Sequence, residues 1–167
     1  RIQYEKQSWK YINNENFEVY YFGKNENLAK NTLQILEKDF SRMTQLLGYT
    51  PYQKVKVFVY PSQDDLFQSN SGISFSNSLE IKINNLERFK IEIAFKNDLK
   101  QFKNELLTSL ASVYVNDMLY SGSVKDVLQN SLFLNVSDWF IKGICSYAAL
   151  GETSEMNQFM FSAIQNN

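Results

Sequence analysis

The chain has 167 residues, enough for one domain with its own core. It is 44% hydrophobic and 15% aromatic, with 17 basic against 18 acidic residues, which excludes a disordered polyelectrolyte and gives no broad field for collecting nucleic acid. It has no histidine and one cysteine, Cys145, so neither a Zn site of the usual His/Cys kind nor a Ser–His–Asp or Cys–His nucleophile can be assembled from it.

Near the start, Arg1-Ile2-Gln3-Tyr4 has neither a basic nor an apolar targeting region. There is no initiator Met, so the chain is expected to be processed or to be a piece of a longer polypeptide. Asn13-Asn14-Glu15-Asn16 reads as a wet surface loop. Phe17–Phe22 is rich in β-branched and aromatic residues and reads as a strand. From Leu28 to Leu47 the apolar residues Leu28, Leu33, Leu36, Phe40, Met43 and Leu47 recur at steps of three to five, one helical face. Asn25 or Asn27 can cap that helix, and Gly48 stands where a left-handed C-cap is wanted. Val55–Tyr60 alternates in and out and ends at Pro61, as a strand does.

Asp64–Gln68 can make one helical turn, and the serine-rich stretch Ser69–Ser78 reads as a loop. Glu80–Ile83 and Lys90–Phe95 alternate strictly, with charges on one face. Asp98 can then cap a long helix from Leu99 to about Tyr120, whose middle, Leu106–Val115, is apolar or small nearly all round and so requires burial on several sides. Ser121-Gly122-Ser123 breaks it. Further helices are expected over Val124–Phe133, Asp138–Leu150 and Glu155–Ile164. Strands first and helices after predict a single α+β domain: a small, mostly antiparallel sheet with one helix over about residues 1–97, and a helical half over about 98–167.

No run approaches the roughly 20 apolar residues that span a bilayer. Phosphate-binding glycine loops and the Gly-x-Ser-x-Gly and Ser-x-x-Lys patterns are missing. The carboxylates Asp64, Asp65, Glu80, Glu87 and Glu92 include pairs that could flank a glycosidic bond, against the plainer reading of solvated charges on strand and loop faces. The ten Tyr, 13 Phe and two Trp could form a flat sugar or peptide platform, against the plainer reading of core. Tyr20, Tyr21, Tyr49, Tyr52 and Tyr60 are the candidates for exposure. Cys145 lies in the apolar run Ile144-Cys145-Ser146-Tyr147-Ala148 and reads as a buried, unreactive thiol.

In the helical half, Asn116-Asp117-Met118-Leu119-Tyr120-Ser121-Gly122-Ser123 and the frame Trp139-Phe140-x-x-Gly143-x-x-x-Tyr147 resemble the gluzincin metalloproteases, in particular the peptidase MA-like domain of exported proteins of Bacteroidetes-type bacteria. The opening, Leu46-Leu47-Gly48-Tyr49 followed by Val55–Tyr60, is similar to the start of that domain. The resemblance implies a zincin-like architecture in which one long helix carries His-Glu-x-x-His and a later helix carries a third, glutamate ligand. On that frame Thr108 and Ser112 occupy the two histidine positions, Ser109 the general-base glutamate and Lys142 the third ligand. Neutral hydroxyls are poor ligands for Zn and an ammonium repels it, so the resemblance implies a pseudo-protease with no catalytic residue, no metal and no cofactor.

Two arrangements are open for Lys142: its ammonium fills the space of the ion and donates to Thr108 and Ser112, or it extends to solvent. The family also implies a substrate groove along an edge strand, here Ile81, Ile83, Ile91 and Ile93 with Trp139, which could bind an extended chain by strand addition. It further implies an exported protein of the periplasm or outer membrane, a β-propeller in the same polypeptide, and protein partners in a larger complex. The expected function is a non-catalytic protein-interaction or scaffold module; a carbohydrate- or peptide-binding module and a carboxylate-dependent hydrolase are the alternatives.

Overall fold

The computed structural model describes residues 8–68, 89–120, 138–154 and 156–158. Within them the chain runs β1 (Trp9–Asn13), β2 (Phe17–Phe22), α1 (Glu26–Leu47), β3 (Val55–Tyr60), α2 (Gln63–Gln68), β4 (Lys90–Ala94), α3 (Leu99–Tyr120) and α4 (Asp138–Leu150). The predicted strands at 17–22 and 55–60 and the predicted helices over 99–120 and 138–150 stand where the pattern put them. Glu80–Ile83, the loop Ser69–Ser78 and the helix over Val124–Phe133 lie outside the described residues, as does most of the last predicted helix, Glu155–Ile164, of which residues 156–158 are helical.

The stretch Asn13–Asn16 is more than a loop. Asn13 ends β1, and the Asn14 carboxamide oxygen accepts from the backbone N–H of Asn16 (3.0 Å) and Phe17 (2.8 Å). This Asx turn closes a hairpin between β1 and β2.

The four strands lie in the order β1-β2-β3-β4. The β1–β2 pair is antiparallel, but β2–β3 and β3–β4 are parallel. The expectation of a mostly antiparallel sheet is thus corrected to a mixed one. The reason lies in the connections: a 22-residue helix, α1, separates β2 from β3, and a crossover of that length returns the chain to the same end of the sheet.

The helix-facing side of the sheet carries Phe17, Val19 and Tyr21, then Val55, Val57 and Val59, then Ile91 and Ile93. Leu36 and Met43 of α1 and Phe102, Leu106 and Leu110 of α3 close over it, all buried. Gly48 ends α1 at φ 60°, and the N–H groups of Gly48 and Tyr49 reach the carbonyls of Gln45 and Thr44. At the turn into α3, Asn97 adopts φ 61°, a left-handed conformation its short polar side chain tolerates. Asp98 then caps the helix, its carboxylate accepting from the N–H of Lys100 (2.8 Å) and Gln101 (3.1 Å).

Candidate interaction surface

Of the positions that the gluzincin resemblance singles out, Ser112 lies in the seam between α3 and α4. Ser112 is buried on α3, and Cys145 is buried opposite on α4. Asn116, one turn on, donates to the Ser112 carbonyl (2.8 Å) and hydroxyl (3.3 Å). Burial pushes the Cys145 thiol up to about 11, and the Ser112 hydroxyl beside it pulls weakly the other way. Thr108 and Ser109 are half-buried. Lys142 is exposed and makes no hydrogen bond or ion pair among the described residues, so of its two open arrangements it takes the one that extends to solvent. Chemically the seam is a hydroxyl, an amide and a neutral thiol packed between helices. Among the described residues, no group of three or more Cys, Asp or Glu side chains is placed to hold a metal ion.

The proposed groove residues separate. Ile81 and Ile83 lie outside the described residues. Ile91 and Ile93 are each 4% exposed and belong to the core beneath α3. What β4 presents outward, as the edge strand among the described residues, is therefore backbone. Trp139 stands apart from them on the outer side of α4.

That outer side is the least expected feature of the molecule. Ile141, Cys145, Ala148 and Ala149 turn inward and are buried. Facing away from them are Trp139 (74% exposed), Phe140 (47%), Tyr147 (44%) and Leu150 (38%). Trp139, Gly143, Tyr147 and Leu150 follow one another at steps of four, four and three residues, which places them in one stripe about 16 Å long. The Trp139 and Phe140 rings meet edge to face at 5.8 Å. A Cβ on Gly143 would meet nothing within 4 Å, so the middle of the stripe is open. Arg42 of α1 holds the far end of the helix: its guanidinium donates to the carbonyls of Ala148 (2.9 Å) and Ala149 (3.1 Å), and it pairs with Asp39 at 3.0 Å.

The face of the sheet turned away from α1 and α3 is aromatic. Tyr11, Tyr20 and Phe58 stand in register across β1, β2 and β3. The Tyr20 and Phe58 rings are stacked at 4.6 Å and 8°, so each covers a face of the other. Lys90 lies 5.0 Å from the Phe58 centroid and pairs with Glu92 at 2.8 Å. Of the tyrosines proposed for exposure, Tyr52 is exposed, Tyr20 and Tyr49 are half-buried, and Tyr21 and Tyr60 are buried. Among the candidate carboxylates, Asp64 is exposed, Asp65 bonds Ser62 at 2.6 Å, and Glu80 and Glu87 lie outside the described residues.

One buried polar contact has no local signal. Tyr49, just after α1, donates its hydroxyl to Asp117 of α3, 68 residues away in sequence. Asp117 is buried. Burial and the Asp117 carboxylate together raise the Tyr49 ionisation well above the ordinary tyrosine range. The one available sign is a charged residue, Asp117, two positions past the apolar run Leu106–Val115 on the same helix, since a carboxylate that is buried needs donors. The same holds for α4: with two charged residues in thirteen, Asp138 and Lys142, it had to be apolar on more than its core side.

Comparison with protein-family models, with curated proteins and with solved structures finds no match. The α+β class and the mixed four-stranded sheet are properties of the structure itself; the gluzincin resemblance rests on sequence alone, on the stretch Asn116–Ser123, the frame Trp139–Tyr147 and the opening of the chain. No helix among the described residues is long and apolar enough to cross a membrane.

Proposed function

We propose that this chain is a non-catalytic interaction module: a domain of zincin-like shape, without metalloprotease chemistry, that docks a protein partner on the outer face of α4. The observation that carries the reading is the stripe of Trp139, Tyr147 and Leu150 with Phe140 beside it, exposed together on one helix. Contiguous apolar surface of this kind is unfavourable in water and marks contact sites. Interface hot spots are enriched in Trp and Tyr, which supply large area with few rotatable bonds. Burying each such side chain fully is worth about 1.5–3 kcal/mol. The gluzincin resemblance adds the setting: a cell-envelope assembly in the periplasm or at the outer membrane, with a β-propeller in the same polypeptide. The sugar-platform reading has less support, because Tyr20 and Phe58 occupy each other's faces and leave ring edges for a ligand.

The test is affinity capture from native envelope extract with the wild-type domain and with a Trp139→Ala/Tyr147→Ala variant, both checked for folding by circular dichroism. The expected result is a partner held by the wild type and lost by the variant. Recovery of the same proteins by both would remove α4 as the docking face. Stoichiometric Zn in the purified domain, or cleavage of a casein-type substrate, would overturn the non-catalytic part.

A further inference from the structure

We draw no further inference here: the strongest candidate, the apolar outer face of α4 around Trp139 and Gly143, belongs to the surface already described, and nothing in the structure shows what covers it.

Discussion

The Arg42 clasp offers the sharpest test of how α4 is held. The last carbonyls of a helix have no partner within it and carry the negative end of its dipole. Arg42 answers two of them, those of Ala148 and Ala149, with one guanidinium, while its Nε donates to Asp39 at 3.1 Å. A hydrogen bond from a charged donor contributes about 1.5–3 kcal/mol when well buried. The Arg42 side chain is 42% exposed, and water can replace it at the carbonyls, so Arg42→Ala is expected to cost about 1–2 kcal/mol in all. For a chain of this length, that lowers Tm by about 2–8 °C.

The loss should also be local: hydrogen exchange in the last turn of α4 and at Gly151, whose N–H reaches the Tyr147 carbonyl at 2.8 Å, should quicken more than exchange in β3. Arg42→Lys should recover only part of the loss, because an ammonium cannot span both carbonyls with a planar fork. Unchanged Tm together with unchanged exchange at the end of α4 would show that water serves those carbonyls as well as Arg42 does.

Other outcomes follow from the buried polar groups. Tyr49→Phe removes one donor from the buried Asp117 carboxylate and should destabilise by about 1–3 kcal/mol in urea titrations; an unchanged midpoint would mean that the contact is dispensable. Tyr20, Tyr49 and Tyr114 all have their ionisation raised in the folded protein, chiefly by burial, Tyr20 to about 12. Raised folded values mean stability fully present below about pH 10 and lost as the pH climbs through the folded values. Absorbance at 295 nm should therefore show fewer of the ten tyrosines titrating near pH 10 in the native state than in urea; superposed curves would contradict the burial. The Cys145 thiol, buried and raised to about 11, should resist a thiol reagent at pH 8 until denaturant is added, and rapid native labelling would show that the α3–α4 seam opens.

Much of this fold was legible because its main signals are local. The alternation of Val55–Tyr60, the apolar spacing of α1, Gly48 after its end and Asp98 before α3 each act within a few residues, and each stands in the structure. The strand β1 escaped because Lys10 and Asn13 interrupt its pattern, while its pairing to β2 depends on an Asx turn at Asn14. Strand direction escaped because it is set by where α1 returns the chain. The site was legible in part. The frame Trp139–Tyr147 puts Trp139 and Lys142 on one helix, and in the structure both are exposed there. Their expected companions Ile91 and Ile93 proved to be core. Alternation marks which residues share a face of β4, but which face the helices cover is decided by residues far away in sequence. The Arg42 and Tyr49 contacts, over 106 and 68 residues, have no local pattern at all.

The contrast between α1 and α4 bears most directly on function. Both helices pack one side on the same core. Among the exposed positions of α1, Leu46 alone is apolar; the others include Glu26, Lys30, Glu37, Lys38 and Arg42. Among the exposed positions of α4 from Trp139 onward, Lys142 alone is charged. Helix propensity does not account for this, since Trp, Phe and Tyr are no better helix formers than polar residues such as Lys, Glu and Gln. Packing within the described chain does not account for it either, because these rings are largely in water. An outward face that could have been written like that of α1, but carries Trp139, Phe140, Tyr147 and Leu150 instead, is one whose stable state in water is covered. That makes the double substitution at Trp139 and Tyr147 discriminating. Removing exposed apolar surface should leave Tm within about 2 °C, since surface changes away from packing features stay within about 0.5 kcal/mol, while a complex that buries both rings should weaken by at least about 30-fold, the equivalent of one 2 kcal/mol hot spot. A large loss of Tm with no loss of binding would place these rings in the fold's own packing and remove them from the interaction surface.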